Sequence, residues 1–370
     1  MKSKIAVLPG DGIGPEVITQ AIKVLNAVAD RFNHEFTYCY GDVGGIAIDK
    51  TGDPLPAETL DTLLACDAVL FGAIGDPKFD NDPSAKVRPE QGLLRMRKEL
   101  GLYCNIRPVT IFPKLRHLSP LREEQLEGVD LVIYRELTGG IYFGEKGRSA
   151  DQNTAFDTCL YHREEIERIA HLAYRQARKR RNKVTLVDKA NVLESSRLWR
   201  ETIQAMAPQY SDVETDYMFV DNAAMQLIVN PSQFDVILTS NMFGDILSDE
   251  SSVLVGSLGL LPSASVGSKT SVFEPIHGSY PQGAGRDVAN PVATVLSAAM
   301  LLDHLDLTTE AKVVVKAVER MLEAGIGTED LKGALAFTCS KSGDLLEAMV
   351  SDDELEINFE KFGTSSSTII

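Results

Sequence analysis

The sequence predicts an α/β protein of about two domains whose first glycine turn is not a dinucleotide-binding turn. Three observations carry that reading: a length of 370 residues, short β-branched runs alternating with helix-period segments, and a glycine pattern whose spacing misses the Rossmann fingerprint. Single cores stop growing at about 250–300 residues, so a chain of this length holds more than one. Apolar residues make up 44% and charged residues 24%, the globular average, which excludes a disordered or collagen-like chain.

Candidate strands occupy residues 4–8, 67–72, 130–136, 183–189, 217–222 and 235–240, separated by longer segments of helical period. That alternation is the α/β signature. The clearest helix spans residues 163–181, with Ile166, Ile169, Ala170, Ala173 and Ala177 on one face, glutamates in its first turn and Arg178 to Arg181 at its end. Cations at a helix C-terminus complement the dipole, so the basic run needs no nucleic acid to explain it. Residues 75–92, rich in Asp, Pro and Lys, read as a long loop of the kind that serves as a lid, and residues 363–368 as a frayed tail.

The glycine turn is Gly10-Asp11-Gly12-Ile13-Gly14-Pro15-Glu16, followed by a helical pattern over 17–31. A glycine turn at a helix start invites a pyrophosphate site. Here the third glycine falls one position early and Pro15 stands where close packing wants glycine, so a tight strand-to-helix turn started by proline is the better reading.

Lys and Arg number 37 against 53 Asp and Glu, a net charge of −16. Such a field repels nucleic-acid backbones and anionic membranes, so neither is an expected partner. Neither a secretory h-region nor a run of about 18 apolar residues is present. The five cysteines are scattered without C-x-x-C pairs, which suits reduced thiols and a cytoplasmic location. With six scattered histidines, any metal would be held by oxygen.

Polar clusters close several strands: Arg135-Glu136, Asp188-Lys189-Ala190-Asn191, Asp221-Asn222 and the segment from Ser240 to Asp245. Ligands of open α/β sheets bind at carboxyl ends of strands, so these ends converge on one site. Asp245 and Asp249 lie four apart and share a helix face. Dipole complementation and a hard divalent cation with a third carboxylate both account for that pair. Arg97, Arg107 and Arg135 adjoin apolar structure. They are either ordinary surface arginines or bidentate grips on a substrate with more than one carboxylate.

Taken together, the glycine turn, Arg135 to Gly144 (REL-TGG-IYFG), Asp188 to Leu193 (DKANVL) and Asn241 to Asp249 (NMFGDILSD) resemble the β-decarboxylating dehydrogenases, the isocitrate/isopropylmalate dehydrogenase family, over residues 4–350. The resemblance implies an isocitrate/isopropylmalate dehydrogenase-like α/β fold, not Rossmann, with two domains sharing a mixed sheet. Residues 1–102 with 256–370 would form a discontinuous cofactor domain, and 103–255 a central dimerisation and substrate domain. A hairpin arm at about 140–161 would reach the partner of a homodimer with shared active sites.

By the same resemblance, Lys189 is the base for the substrate hydroxyl, its pKa lowered by nearby cations, and Tyr142 the acid. Arg97, Arg107 and Arg135 hold a small dicarboxylate, while Lys189, Asn191 and Asp221 enter the neighbour's site. Asp221, Asp245 and Asp249 hold Mg²⁺ or Mn²⁺. Leu93 and Leu94, completed by Val192, favour an isopropyl group over a third carboxylate. The implied reaction is the NAD-dependent oxidative decarboxylation of 3-isopropylmalate in leucine biosynthesis, with isocitrate, homoisocitrate and D-malate as alternative substrates. An acidic binding module that keeps the fold without catalysis is the non-enzyme alternative. NAD would meet Ile13, Glu90, His277, Gly278, Ser279, Pro281, Gln282, Gly283, Ala284, Gly285, Ala289 and Asn290. Gln282 can bond a ribose hydroxyl but cannot repel a 2′-phosphate, so discrimination against NADP would be loose.

Overall fold

The computed structural model describes residues 1–80, 86–352 and 354–355. Its strands include β1 (Lys2–Gly10), β2 (Glu35–Tyr40), β3 (Ala68–Ala73), β4 (Leu102–Thr110), β5 (Asp130–Glu136), β6 (Lys146–Arg148), β7 (Ala155–Asp157), β8 (Lys183–Asp188), β9 (Glu214–Phe219), β10 (Val236–Thr239), β11 (Pro262–Gly267) and β12 (Ser271–Pro275). Ten of them form one sheet in the order β2-β1-β3-β12-β11-β4-β5-β10-β8-β9. Both wings are parallel, β2-β1-β3-β12 on one side and β5-β10-β8-β9 on the other. Between them the pairs β12-β11, β11-β4 and β4-β5 are antiparallel. A doubly wound dinucleotide-binding sheet has no such centre, so the fold is a mixed-sheet α/β fold and not Rossmann.

The inner strands of the parallel wings are buried on both faces, unlike the edge strands β2 and β9, which is why β3 reads as a continuous apolar run with every residue buried. The helix Gly14–Phe32 covers β1 and β3 and packs on the helices Cys339–Ser351 and Val292–His304. Pro15 opens it, Val17, Ile18, Ala21, Val24, Leu25 and Val28 form its buried stripe, and Asn33 ends it at φ 56°. Truncating the fully buried Leu25 to alanine removes contacts worth about 2–5 kcal/mol. A second core, around Tyr161, Tyr174 and Trp199, lies under the helix Arg163–Arg178.

Several sequence expectations need correction. Residues 75–92 are not one loop: Pro77–Asp80 and Pro89–Glu99 are helical, because Asp76 and Pro77, then Arg88 and Pro89, are helix-starting pairs. Asp221 does not close a strand; β9 stops at Phe219, and Asp221 lies in the first turn of the helix Val220–Val229. The basic run after residue 177 is held by particular carboxylates, Arg178 by Asp212 at 2.6 Å and Arg180 by the buried Asp235 at 2.8 Å. Dipole complementation alone therefore does not account for it. The expected tail at 363–368 lies outside the described residues. The strands β6 and β7 pair into a hairpin that leaves Phe156 exposed, followed by exposed Leu160. Among the described residues no helix is long and apolar enough to cross a membrane.

Candidate active site

The antiparallel centre builds the first cluster. On β4 and β5, Asn105 lies opposite Arg135 and Arg107 opposite Ile133, so the alternating side chains put both arginines on one face. The helix Asn241–Ser252 crosses that face and supplies Asn241, Asp245, Ser248 and Asp249 at helical spacing. Arg135 donates to Asp245 through Nη1 and to Asn241 Oδ1 through Nε (3.2 Å) and Nη2 (2.9 Å). Arg107 donates to Asn105 Oδ1, Ser248 Oγ and Asp249 Oδ1, each at 2.9 Å. Tyr142 donates to Asp245 Oδ2 at 2.8 Å. Gly244 makes room for this fork, since a Cβ there would meet the Arg135 stem at 2.6 Å.

Arg97 joins from the helix Pro89–Glu99, with Glu274 of β12 3.8 Å away. Burial pulls the Arg135 pKa down; Asp245 opposes this, and Arg107 and Arg97 add to it. Burial pushes Glu274 up, against the pull of Arg97 and Arg107. Tyr142 is raised by burial and by its bond to Asp245. A cavity of about 490 Å³ opens here, with Arg97 and Arg135 in its lining and Leu94, Leu137, Ile141 and Phe143 as apolar wall. A cationic floor beside an apolar wall suits a small anion with a branched hydrocarbon arm.

A second cluster stands apart. Lys189 follows β8 and donates to Asp221 Oδ1 at 2.5 Å, which holds Asp221 below the ordinary carboxylate range. Its neighbour Asp188 points the other way and is gripped by Arg200 through two 2.8 Å bonds. Asn191 lines a small separate cavity with Arg197 and Arg200, and Val192 is exposed. Among the described residues no ion pair joins this cluster to the first, and no three His, Cys, Asp or Glu side chains gather to hold a metal. Within one chain, Asp245 and Asp249 are hard oxygen donors whose charge is met by Arg135 and Arg107, a donor set that fits a divalent ion with a third carboxylate from outside the cluster.

A further cavity of about 670 Å³ is lined by Ile13, His277, Gly278, Tyr280, Arg286, Ala289 and Asn290, among others. His277 uses Nδ1 on the Gly278 carbonyl at 3.0 Å, while its buried Nε2 has no partner among the described residues; burial lowers its pKa, so the ring is neutral near pH 7. An unpartnered ring nitrogen beside glycine backbone fits a nucleotide. The turn after β1 is a poor phosphate cradle, because three of its amides are already used: Asp11 N–H on Ala73, Ile13 N–H on Ser279 (2.8 Å) and Gly14 N–H on Asp11.

A sequence profile of the family described as isocitrate/isopropylmalate dehydrogenase matches residues 4–346. The chain belongs to this family. A 3-isopropylmalate dehydrogenase of Bacteroides fragilis is 58% identical over 332 residues, covering 90% of this chain and 94% of that one. One from Bacillus subtilis is 53% identical over 348 residues, covering 92% and 95%. Among solved structures, an isocitrate dehydrogenase from Methylococcus capsulatus matches with a TM-score of 0.83 at 33% identity, covering 94% of this chain and 99% of that one. A β-decarboxylating dehydrogenase from Thermococcus kodakarensis matches at 0.80 and 36%, covering 96% and 99%.

For a member of this dehydrogenase family, the structure brings Arg97, Arg107, Arg135, Tyr142, Asp245 and Asp249 together and leaves Lys189, Asn191, Val192 and Asp221 in a separate place. Leu94 faces the cavity, but Leu93 turns to the core around Leu8 and Leu55, one helical step away. Of the expected cofactor residues, Ile13, His277, Gly278, Ala289 and Asn290 line the second cavity. Ser279 is buried and bonded to Ile13. Pro281 to Gly283 form a single turn outside that lining, followed by Ala284 and Gly285. A Cβ on Gly75 would lie 3.4 Å from both Glu90 and Ser279, so Glu90 stands beside this loop. Sequence reasoning placed Asn241 in a polar cluster at the site without giving it a role, and missed Glu274 and Asn105. Both lie within strands, Glu274 in β12 and Asn105 in β4, where no spacing marks a polar residue as functional.

Proposed function

We propose that this chain is an NAD-dependent enzyme that oxidises and decarboxylates 3-isopropylmalate, giving 4-methyl-2-oxopentanoate and carbon dioxide in leucine biosynthesis. The observation that carries the substrate is the single cavity with Arg97 and Arg135 on one side and Leu94, Leu137, Ile141 and Phe143 on the other. Lys146 also lines the cavity, but Leu94, Leu137, Ile141 and Phe143 themselves offer a third carboxylate no hydrogen bond in place of its water, whereas an isopropyl group gains from that wall. The named relatives act on the same substrate.

In this reading Arg97, Arg107 and Arg135 fix the two carboxylates and orient the carbinol carbon. Lys189 of the partner subunit takes the hydroxyl proton, and Tyr142 returns a proton to carbon after carbon dioxide leaves. The raised Tyr142 pKa keeps the phenol protonated as an acid. Asp245 and Asp249, with Asp221 of the partner subunit, would hold Mg²⁺ or Mn²⁺, which when bound supplies Lewis-acid stabilisation of the developing negative charge. Residues 277–290, with Ile13 and Glu90, would hold NAD, which when bound would supply the hydride acceptor. The two-domain division at 1–102 with 256–370 and 103–255, the arm at 140–161 and the cytoplasmic location belong to the same proposal. The separation of Lys189 and Asp221 from Tyr142 and Asp245 within one chain supports the shared homodimer site.

The reading is tested by nicotinamide absorbance with 3-isopropylmalate, isocitrate and D-malate, each with NAD and NADP. Preference for isocitrate would overturn it. Mixing Lys189→Met and Tyr142→Phe subunits tests the sharing. Each variant alone is expected to be inactive, and the mixture to regain about a quarter of normal activity, because half the random dimers carry one intact site of two. No recovery after subunit exchange would refute the shared site.

A further inference from the structure

Glu16, in the first turn of the helix Gly14–Phe32, reaches across to the nucleotide loop. Its carboxylate accepts the backbone N–H of Gly285 and, at 3.1 Å, that of Asp287. The gripped segment is conformationally costly. Tyr280, Gly285 and Asp287 sit at φ 37°, 74° and 57°, and two of these are not glycine. For a residue other than glycine such a position is strained and persists only where the surroundings over-determine it. Here a second clamp does so from the far side: Asp287 accepts Ser340 N–H at 2.7 Å and Ser340 Oγ–H at 2.6 Å, and its carbonyl accepts Cys339 N–H at 3.0 Å. The helices carrying the two clamps, Gly14–Phe32 and Cys339–Ser351, pack on each other, so the loop is pinned to one rigid unit.

We propose that Glu16 is a positioning residue that holds the loop 280–287 in its nucleotide-ready shape before the nucleotide arrives. Ordering a loop on binding lowers affinity, and pre-ordering removes that cost. The inference rests on the reading of residues 277–290 as the nucleotide site. A glutamate that only complemented the helix dipole would need no contact with a remote loop, and its loss would lower stability without touching nucleotide affinity.

The test uses the full chain with Glu16→Ala and Glu16→Gln, NADH binding by fluorescence titration, steady-state constants for both substrates, and hydrogen exchange of the loop with and without NADH. Glu16→Ala is expected to weaken NADH binding by about tenfold, which is about 1.4 kcal/mol. Turnover at saturation and the KM for 3-isopropylmalate should stay within about twofold. Loop amides 280–287 should exchange faster in the nucleotide-free variant. Glutamine keeps one acceptor and turns an NH₂ toward the second amide, so Glu16→Gln should fall between wild type and alanine. Wild-type NADH affinity in folded Glu16→Ala, or lost turnover with unchanged affinity, overturns the proposal. If the alanine variant does not fold, wild-type affinity in Glu16→Gln overturns it. In the wild type, NADH should protect residues 277–290. Absence of that protection would sink the nucleotide-site reading itself, whereas protection with an unaffected Glu16→Ala would sink only the role of Glu16.

Discussion

Arg135→Lys is the sharpest probe of the cationic floor. The guanidinium makes three bonds at once, one to Asp245 and two to Asn241 Oδ1 at 3.2 and 2.9 Å, while its side chain is almost fully buried. A lysine ammonium keeps the charge but, with a compact head, can serve one of those directions and not the fork. Two charge-assisted bonds at roughly 1.5–3 kcal/mol each are lost or misdirected. Part of that loss falls on stability, because Asn241 Oδ1 keeps only whatever water can reach it. The part that falls on substrate alignment should lower kcat/KM for 3-isopropylmalate by about 100- to 1,000-fold, equivalent to about 3–4 kcal/mol. The KM for NAD should hold, since Arg135 lines the first cavity and not the second. Steady-state kinetics on the folded variant decide it. A kcat/KM within fivefold of wild type, or an equal rise in both KM values, would refute the reasoning that the fork serves substrate and not general packing.

Three further outcomes follow from single close approaches or buried groups. Gly244→Ala places a methyl 2.6 Å from the Arg135 stem and should reproduce much of the Arg135→Lys loss in kcat/KM without changing a charge; unaltered kinetics would show that the stem can shift. Gly12→Ala combines φ 58° with a Cβ 2.0 Å from the Ser279 carbonyl and should raise the KM for NAD more than the KM for substrate, which a steady-state comparison checks. His277 and His304 both have pKa values lowered by burial, so the unfolded chain binds more protons than the folded one below about pH 6.5. The stability they contribute is present above that pH and is lost as pH falls toward their folded values, at up to about 1.4 kcal/mol per pH unit for each proton. Urea midpoints between pH 7 and 5 should fall less steeply in a His277→Gln, His304→Gln double variant, and an unchanged slope would assign the acid sensitivity elsewhere.

Apart from β2 and β12, which were not among the expected strands, the wings of the sheet were legible in the sequence because buried parallel strands are continuous apolar runs, as in β3 and β5. The centre was not. β4 carries Asn105, Arg107 and Pro108, and β11 is Pro-Ser-Ala-Ser-Val-Gly, so these two central strands lack the pattern that identifies strands. Chemistry was legible where spacing fixes geometry: Asp245 and Asp249 do share a helix face, and Arg107 and Arg135 do meet. It failed where one residue of helical phase decides the outcome, as with Leu93 and Leu94. It also failed where the partner comes from far along the chain, as with Glu274 beside Arg97 or Glu16 beneath Gly285. Family resemblance supplied the roles proposed for Lys189 and Tyr142, which no local pattern could have assigned.

The net charge of −16 and the anionic substrate are reconciled by how the site's cations are spent. Arg135 is paired with Asp245, Arg107 with Asp249 and Arg97 with Glu274, so three guanidiniums face three carboxylates and the cluster alone is close to neutral. A dicarboxylate entering it would find Arg135 and Arg107 already hydrogen-bonded to carboxylates, and Arg97 with Glu274 only 3.8 Å away. A divalent ion seated on Asp245 and Asp249 would offset those two carboxylates and release Arg135 and Arg107, leaving a surplus of the two charges that the substrate carries. Substrate and ion should therefore bind with positive coupling, and reciprocally so. Calorimetric titration of 3-isopropylmalate into the NAD-free enzyme should show affinity rising about 10- to 100-fold, a coupling of about 1–3 kcal/mol, when Mg²⁺ or Mn²⁺ is added. Asp249→Asn should shrink that coupling while strengthening the metal-free affinity, because Arg107 loses its resident anion. Equal affinity with and without the ion would mean that the arginines are free to take the dianion unaided, and that the paired arrangement has no bearing on binding.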